Sequence, residues 1–339
     1  MTSADWQLDR SVAADALREL RAARTVLMPT HKNVDADGLA SPLAMMHALA
    51  PLGVNIVPIA SDGDVPSNLQ FLPGVERVLC YGVDPLPDYD LLCMADCSDL
   101  RRLGDFYADD PSRVDGRIPI VNIDHHVTND RFGRVNIVEP GAASTAEIVA
   151  DLLHVWSCEV TTTIAECLLA GIYGDTLGLR TPDTTSRTMR TAADLVDTGA
   201  KLSPIVDALF RLKPVSTVCL WERALRNVQW TGTLIWTEVT KEMLRSCSAV
   251  TAEAEGLVNF LSGTEGSRAA GLLYEDEGGW RVSLRSLSEE VDVAAVAAVL
   301  NGGGHPRAAG AQIRGGEAEK TAFLTKVSEL IAVDGGDDA

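Results

Sequence analysis

Short apolar runs alternate with amphipathic helical stretches from residue 12 to about residue 185 of this 339-residue chain. The runs "TVLMPTH", "VNIVPIAS", "DYDLLCMADCS" and "RIPIVNIDHH" each predict a buried strand, and "GLASPLAMMHALAPLG", "STAEIVADLLHVW" and "TTTIAECLLAGIYGD" predict helices. Apolar strands that alternate with helices are typical of βαβ units around a parallel sheet. The sequence therefore predicts an α/β fold class, with an N-terminal parallel-sheet domain over residues 1–185.

A helical connector and a second, smaller α/β domain are predicted to follow. The stretches "SRTMRTAADLVDTG" and "LSPIVDALFRL" are helical in period, which predicts a connector over residues 186–228. Strands and helices return from "TGTLIWTEVT" onward, so residues 229–339 are predicted to form the second domain. Because domains average roughly 150 residues, the length suits two domains with a cleft between them.

Polar residues stand where predicted strands end, and a further carboxylate stands where a predicted helix ends. In an open α/β sheet, ligands bind outside the carboxyl ends of the strands. A single aspartate at such a position is usually a helix cap or a turn residue, so the argument depends on several clusters at one edge. The four clusters contain His31, Asp35 and Asp37; Asp96; Asp124, His125 and His126; and Asp175.

These clusters predict a site for divalent metal ions. Carboxylates within a few ångströms of one another repel and raise their own pKa values, and a divalent cation removes the repulsion. Histidine and carboxylate ligands without cysteine suit Mn²⁺, Mg²⁺, Zn²⁺ or Fe²⁺, and oxygen-rich sites favour Mg²⁺ or Mn²⁺. Six ligands exceed what one catalytic ion takes while keeping a position open for water, which favours two ions. The predicted ligands are His31, Asp35, Asp37, Asp96, His125 and Asp175.

Charge and composition limit the kinds of partner and the location expected for this chain. The formal net charge is −19, from 29 basic and 48 acidic residues, which argues against duplex DNA because phosphate contacts require a broad basic face. No apolar run reaches the 18 or so residues of a membrane span, and "MTSADWQLDR" lacks a signal-peptide pattern, so a cytoplasmic, membrane-free protein is expected. The seven cysteines show no paired CxxC spacing and are expected to be reduced thiols.

Five motifs occur in a recognisable order: "HKNVDADGLAS", "ADCSD", "DHH", "GIYGDT" and "GGGHPRAAG". In this order they resemble those of the DHH phosphoesterases, with the last motif similar to the glycine-rich signature of the DHH-associated C-terminal domain. Within this family the chain is most similar to the bacterial oligoribonucleases (nanoRNases) that also act as phosphatases on 3'-phosphoadenosine 5'-phosphate. Val34, Leu179 and Asn301 depart from residues frequent in the family, and none of them is a proposed ligand.

The resemblance implies a role for each site residue. Asp96 is expected to bridge two ions, His126 to face the scissile phosphate, and Asp124 to orient a neighbouring histidine. One ion is expected on His31, Asp35 and Asp96, and the other on Asp37, Asp96, His125 and Asp175. Substrate binding is expected from Arg285, Gly302, Gly303, Gly304, His305 and Arg307 of the second domain, where glycine leaves backbone amides unshielded.

The implied activity is that of a metal-dependent hydrolase of phosphoester bonds. We expect two-metal activation of water, with Mn²⁺ as the metal and Mg²⁺ as the alternative, to cleave short oligonucleotides or dinucleotides to mononucleotides. 3'-Phosphoadenosine 5'-phosphate is the expected second substrate. The expected partners are a short single-stranded oligonucleotide or small nucleotide and, in a homodimer, a second copy of the chain.

Two alternatives stay open at this point. The chain can be a non-catalytic nucleotide-binding regulator, although the complete ligand set argues against this. Within the family it can be a pyrophosphatase or another small-phosphoester hydrolase, although the second domain lacks the lysine-rich signature of the manganese pyrophosphatases.

Overall fold

The computed structural model describes residues 6–254, 256–288 and 290–333, and it divides the chain into two compact units between Leu212 and Lys213. The side chains of His305 and Val333 lie outside this description. The division falls within the predicted helical connector. The domain boundaries at residues 185 and 228 and the cleft stay predictions.

Unit 1, up to Leu212, contains a six-stranded sheet in the order β3-β2-β1-β4-β5-β6. Every neighbouring pair of strands is parallel, which confirms the predicted parallel sheet. The strands β1, β4 and β5 are buried throughout, in keeping with their continuous apolar sequences. The strand bounds are Val26–Pro29 (β1), Ile56–Ala60 (β2), Leu79–Cys80 (β3), Leu91–Ala95 (β4), Ile120–Asp124 (β5) and Val135–Val138 (β6).

The helices of unit 1 cover this sheet. They are Arg10–Ala22 (α1), Ala36–Leu49 (α2), Gly104–Ala108 (α3), Thr145–Val155 (α4), Thr162–Asp175 (α5), Ser186–Asp197 (α6) and Leu202–Val206 (α7), followed by a π-helical turn at Asp207–Arg211. Helix α2 is buried along its whole length except at His47, because it packs between strands β2 and β4 and helices α4 and α5. Gly174 permits the close approach of α5 to α2, since a Cβ there would lie 2.5 Å from the Cβ of Ala36.

Unit 2 contains a mixed six-stranded sheet in the order β11-β12-β10-β9-β8-β7. Only β8 and β9 pair in parallel among these neighbours. The strands are Gln229–Thr231 (β7), Leu234–Val239 (β8), Ala269–Asp276 (β9), Gly279–Arg285 (β10), Gly303–His305 (β11) and Ala308–Arg314 (β12). The helices are Val215–Arg226 (α8), Lys241–Cys247 (α9), Leu257–Ser262 (α10), Val293–Val299 (α11) and Glu317–Val333 (α12). The predicted second α/β domain is thus confirmed.

Side chains alternate between two cores on the faces of this second sheet. Leu234 and Trp236 of β8 pack with α11 and α12, whereas Ile235 and Val239 pack with α8, α9 and α10. This is the period of two that a strand buried on both faces produces. Within the described ranges, no helix is both long enough and apolar enough to cross a bilayer.

One expectation about the cysteines was wrong. Cys219 and Cys247 form a disulfide that joins α8 to α9, and the other five cysteines are free. The two residues are 28 positions apart, so their meeting depends on how α8 packs against α9. Sequence spacing alone contains no signal for such a contact.

Candidate active site

The predicted polar clusters meet at one edge of the unit 1 sheet. β1, β4 and β5 are neighbours in the sheet and run parallel, so their carboxyl ends lie side by side. His31 follows β1, Asp96 follows β4 directly, and Asp124 is the last residue of β5. The connections run outward in opposite directions from β1 and β4, and such a switch point is where ligands bind in open α/β sheets.

The structure brings the six predicted metal ligands and His126 into three overlapping groups. Possible ligand atoms lie within 4.8 Å of one another in each group. Asp96 belongs to two of the groups, because its Oδ2 is 3.4 Å from Nε2 of His31 and its Oδ1 is 3.5 Å from Nε2 of His125. The groups are His31, Asp35 and Asp96; Asp96, His125 and His126; and Asp37, His125 and Asp175.

Both imidazole rings are oriented as metal ligands. Nδ1 of His31 is 2.9 Å from the carbonyl oxygen of Lys32, and Nδ1 of His125 is 3.3 Å from that of Ala142. A carbonyl oxygen only accepts, so we assign the N–H to Nδ1 and a lone pair to Nε2 in the neutral rings. Each Nε2 is buried without a hydrogen-bond partner.

A cation fits between these atoms. Nε2 of His125 is also 3.4 Å from Oδ2 of Asp175, and a lone pair facing carboxylates repels them unless a positive charge lies between. Ligand atoms about 2.1 Å from a common ion are separated by about 3.0 to 3.4 Å in octahedral or tetrahedral geometry, close to the separations found here. The donor set therefore suits divalent ions.

Protons take the place of cations in the metal-free protein. Burial opposes the charge of His31, but the carboxylates of Asp35 and Asp96 outweigh it and raise the pKa of His31 to about 10. Burial opposes the charge of His125 as well, and Asp96 and Asp175 raise the pKa of His125 to about 10. Burial raises the pKa of Asp175 to about 7 and that of Asp37 well above its ordinary value. Burial opposes the ionisation of Asp96, but the two histidines hold its pKa well below the ordinary value.

The first turn of α4 holds the fully buried carboxylate of Asp37. The amide of Thr145 donates to its Oδ2 at 2.6 Å, and the amide of Ala146 donates to its Oδ1 at 2.9 Å. Free amides at a helix N-terminus favour a negative charge there. Thr145 also donates its hydroxyl to Oδ1 of Asp96 at 3.2 Å, so one helix end fixes two proposed ligands.

Two glycines leave room for the ligands. A Cβ at Gly38 would lie 2.5 Å from Nε2 of His31, and a Cβ at Gly171 would lie 2.8 Å from Oδ1 of Asp37. Sequence reasoning missed Thr145 and Gly171. The helix pattern at "STAEIVADLLHVW" predicts where α4 begins, but not that its amides face Asp37, 108 positions earlier in the chain.

The two adjacent histidines both lie near Asp96 but have different nearest partners. Nε2 of His125 faces Asp96 and Asp175, whereas Nδ1 of His126 is 2.8 Å from Oδ1 of Asp124 and 3.6 Å from Oδ1 of Asp96. Asp124 is fully buried, and its Oδ2 accepts from the amide nitrogen of Asn129 at 2.6 Å. Nδ1 of His126 therefore donates to a fixed carboxylate, which leaves Nε2 as the reactive nitrogen.

Two arginines in unit 2, Arg285 and Arg307, were predicted to bind substrate, and in the structure they make different contacts from each other. Arg285 ends β10, where its Nε donates to Oδ1 of Asn259 at 3.1 Å and its Nη1 to the carbonyl of Leu284 at 3.0 Å. Arg307 donates from Nη1 to the carbonyl oxygens of Ser288 and Val291. These hydrogen bonds therefore stabilise the segment that precedes α11. The side chain of His305 lies outside the described part of the chain.

The glycine-rich segment forms an edge strand, β11, in a hairpin with β12. A Cβ at Gly302 would lie 2.2 Å from the carbonyl oxygen of Gly310, and Gly304 has a φ of +149° that disfavours a side chain. The hairpin itself thus requires these two glycines. Gly303 has nothing within 4 Å of its missing Cβ, so packing does not explain it.

Comparisons with known proteins agree with this architecture. Residues 25–172 match the N-terminal domain of the DHH family, and residues 247–333 match the DHHA1 domain. The bifunctional oligoribonuclease and PAP phosphatase NrnA of Thermus thermophilus is 33% identical over 316 residues, which cover 91% of this chain and 90% of that protein. The NrnA protein of Bacillus subtilis is 26% identical over 307 residues, covering 88% and 92% of the two chains.

A solved structure supports the fold. The exopolyphosphatase-related protein of Bacteroides fragilis superposes with a TM-score of 0.87 at 22% identity, over 96% of this chain and 98% of that one. With both domains matched in order and a relative above 30% identity over most of both chains, the assignment rests on more than the fold. The chain belongs to the DHH family and is a metal-dependent phosphoesterase, a hydrolase of phosphoester bonds.

Proposed function

We propose that the protein hydrolyses short single-stranded oligonucleotides and dinucleotides to mononucleotides, and 3'-phosphoadenosine 5'-phosphate as a second substrate. The observation that carries the proposal is the pair of unpartnered Nε2 atoms of His31 and His125, which face the shared carboxylate of Asp96. The substrate class is supported by the relatives in Thermus thermophilus and Bacillus subtilis, which are named as oligoribonucleases and PAP phosphatases.

The proposed cofactor is a pair of Mn²⁺ ions. His31, Asp35 and Asp96 hold one ion, and Asp37, Asp96, His125 and Asp175 hold the other. When bound, two such ions activate water and neutralise the charge that develops on the phosphate oxygens. We favour Mn²⁺ over Mg²⁺ because each ion takes an imidazole nitrogen, a ligand that suits transition metals better than Mg²⁺.

The other residues of the site position groups and move protons. Asp124 accepts from Nδ1 of His126 and so keeps Nε2 directed away from the buried carboxylate. Nε2 then accepts a proton or, once protonated, donates it to the leaving oxygen. Asp37 does not move during this step, because amides of α4 and the hydroxyl of Ser41 hold both of its oxygens.

Unit 2 supplies further substrate contacts in this proposal. Arg285 is presented at the end of β10, with its guanidinium oriented by Asn259, and Gly303 offers an unshielded backbone. The net charge of −19 supports a short substrate over duplex DNA. A cytoplasmic location, His305 as a further contact, and a homodimer remain part of the proposal.

A chelation and substrate panel tests the function. Excess chelator should abolish hydrolysis of a dinucleotide, and Mn²⁺ should restore it. Full turnover in excess chelator would contradict the mechanism. The same panel, with longer oligomers, 3'-phosphoadenosine 5'-phosphate and pyrophosphate, decides between the alternatives. Nucleotide binding without turnover would indicate a regulator, and preferred cleavage of pyrophosphate would indicate a pyrophosphatase.

Substitutions test the division of labour between the residues. Asp96→Ala should reduce turnover more than Asp37→Ala, because Asp96 belongs to both proposed ions. Arg285→Ala should lower kcat/KM for a dinucleotide by roughly ten- to a thousand-fold, and leave bis(p-nitrophenyl) phosphate hydrolysis unchanged. Arg281→Ala is the matched control, since Arg281 lies on the same strand with its guanidinium over Tyr274. Equal losses of kcat/KM on both esters would show that Arg285 does not recognise the dinucleotide specifically.

A further inference from the structure

The guanidinium of Arg102 lies beside His126, the proposed catalytic histidine. Arg102 belongs to a short 3-10 helix, Leu100–Leu103, that follows β4. Its Nη1 is 3.4 Å from Nε2 of His126 and 3.4 Å from Oγ of Ser98. The guanidinium thus reaches the one imidazole nitrogen that Asp124 leaves available.

The backbone holds Arg102 in this place. The amide of Lys32 donates to the carbonyl oxygen of Arg102 at 2.6 Å, which ties the 3-10 helix to the loop that follows His31. The side chain is only half-exposed, so it is directed by its surroundings rather than free in solvent. Arg102 is therefore positioned against the loop that joins two of the proposed ligands, His31 and Asp35.

Arg102 has no carboxylate partner of its own. Among the residues that the structure describes, no carboxylate oxygen lies within 4.0 Å of its guanidinium nitrogens. The preceding residue, Arg101, pairs with Asp99. In a chain with a net charge of −19, a half-buried guanidinium that faces an imidazole rather than a carboxylate suits an anion that arrives with the substrate.

The net charge of the site favours a cation beside the place where a phosphate would bind. Five carboxylates surround the site, and two divalent ions would bring four positive charges, which leaves one negative charge before an anionic phosphate enters. A guanidinium offsets that charge and offers a donor pair that matches two phosphate oxygens. This step rests on the proposed function. The carboxylates are those of Asp35, Asp37, Asp96, Asp124 and Asp175.

We infer that Arg102 is a substrate-binding residue that donates to a non-bridging oxygen of the scissile phosphate, next to Nε2 of His126. Its ligand is the phosphate group common to all substrates of the site, monoesters and diesters alike. Arg102 therefore contributes equally to specific and generic substrates, unlike Arg285.

The test compares Arg102→Ala with Arg101→Ala in the full-length, Mn²⁺-loaded protein. We expect Arg102→Ala to lower kcat/KM by about 10- to 150-fold on both a dinucleotide and bis(p-nitrophenyl) phosphate, the effect of losing one hydrogen bond to a charged group. Arg102→Lys should recover part of the loss, because it keeps the charge without the paired donors. Arg101→Ala should stay within about twofold of the wild type, because its exposed ion pair contributes little.

A binding measurement separates a phosphate contact from an effect on His126. By calorimetry, AMP should bind the Mn²⁺-loaded Arg102→Ala variant about tenfold more weakly than the wild type, whereas Mn²⁺ affinity should be unchanged. Normal AMP affinity together with reduced turnover would overturn the inference, since Arg102 would then act only through His126. If Arg102→Ala does not fold, Arg102→Gln provides the same comparison with a side chain of similar length.

The two proposals fail in different ways. A wild-type protein that hydrolyses no phosphoester with Mn²⁺ would contradict the proposed function itself. A wild-type protein with full activity, combined with an Arg102→Ala variant equal to Arg101→Ala, would overturn only the role of Arg102.

Discussion

Loading the metal-free protein with Mn²⁺ is expected to release protons, because the proposed ligands hold protons at neutral pH. With a pKa of about 10, His31 and His125 each carry close to one proton at pH 7, and Asp175, with a pKa of about 7, carries about half. All three must lose these protons to bind an ion, so about 2.5 protons should leave per chain.

The same shifts give the metal-free protein a characteristic pH dependence. The pKa of His31 is raised above its ordinary value of 6.5, so its stabilising contribution is complete below pH 6.5 and is lost as pH rises through 10. Burial raises the pKa of Asp175, so its ionisation destabilises the fold progressively as pH rises from 3.8 through 7. The chelated protein should therefore lose stability through Asp175 up to about pH 7 and through His31 between pH 6.5 and 10, whereas the Mn²⁺-loaded protein, with neutral histidines, should change less.

Calorimetric titration with Mn²⁺ in buffers of different ionisation enthalpy measures the protons directly. About 2.5 should be released at pH 7 and fewer at pH 9, where Asp175 is already ionised. His47→Gln is the control, because this histidine lies on α2 outside the cluster, with Nε2 3.1 Å from the carbonyl oxygen of Pro73. Release of less than one proton at pH 7, while two ions bind, would refute the reasoning, as would a chelated protein whose melting temperature rises from pH 7 to 9.5.

Four further substitutions test how the site and the second sheet are built. Gly171→Ala should destabilise the protein by about 1 to 3 kcal/mol and weaken Mn²⁺ binding. The new Cβ would lie 2.6 Å from the Cβ of Ala146 and 2.8 Å from Oδ1 of Asp37. Denaturant melts measure the loss of stability, and a metal titration measures the weaker binding. Asp124→Asn should lower kcat by about 10- to 100-fold with a normal melting temperature, since His126 loses its charged partner, and an unchanged kcat would contradict this role. Gly302→Ala should lower the melting temperature whereas Gly303→Ala should not, because only Gly302 lies against a backbone carbonyl; similar melts for the two variants would contradict the hairpin packing.

Periodicity predicted the core of the fold because the central strands are buried on both faces. The apolar runs that contain β1, β4 and β5 have no polar alternation, and this is the pattern that a parallel sheet covered by helices requires. The strands β3 and β6 were missed for the opposite reason. β3 has only two residues, Leu79 and Cys80, and β6 is half-exposed at its start, so neither has enough length or pattern to stand out.

The ligand set was predictable because its members lie at the ends of strands and helices, whereas the supporting residues were not predictable. Element ends are visible in a sequence, and a parallel sheet places the ends of its strands at one edge. Thr145, Gly171 and Arg102 act through contacts that only the packed fold creates. The hairpin role of the glycine-rich segment was missed for the same reason, since close approach to Gly310 is not readable from "NGGGH".

The backbone conformation of Asp96 determines where its carboxylate lies in the site. Asp96 directly follows β4 with a φ of +59°, a left-handed conformation that is uncommon outside glycine and that aspartate tolerates better than most residues. Its amide still donates to the carbonyl oxygen of Ile123 at 3.0 Å, so the sheet ladder continues while the carboxylate turns between His31 and His125. A side chain that faces both histidines thus directly follows a fully buried strand. Because the ladder hydrogen bond to Ile123 fixes the backbone of Asp96, the packing of β4 against β5 determines where this carboxylate lies between His31 and His125.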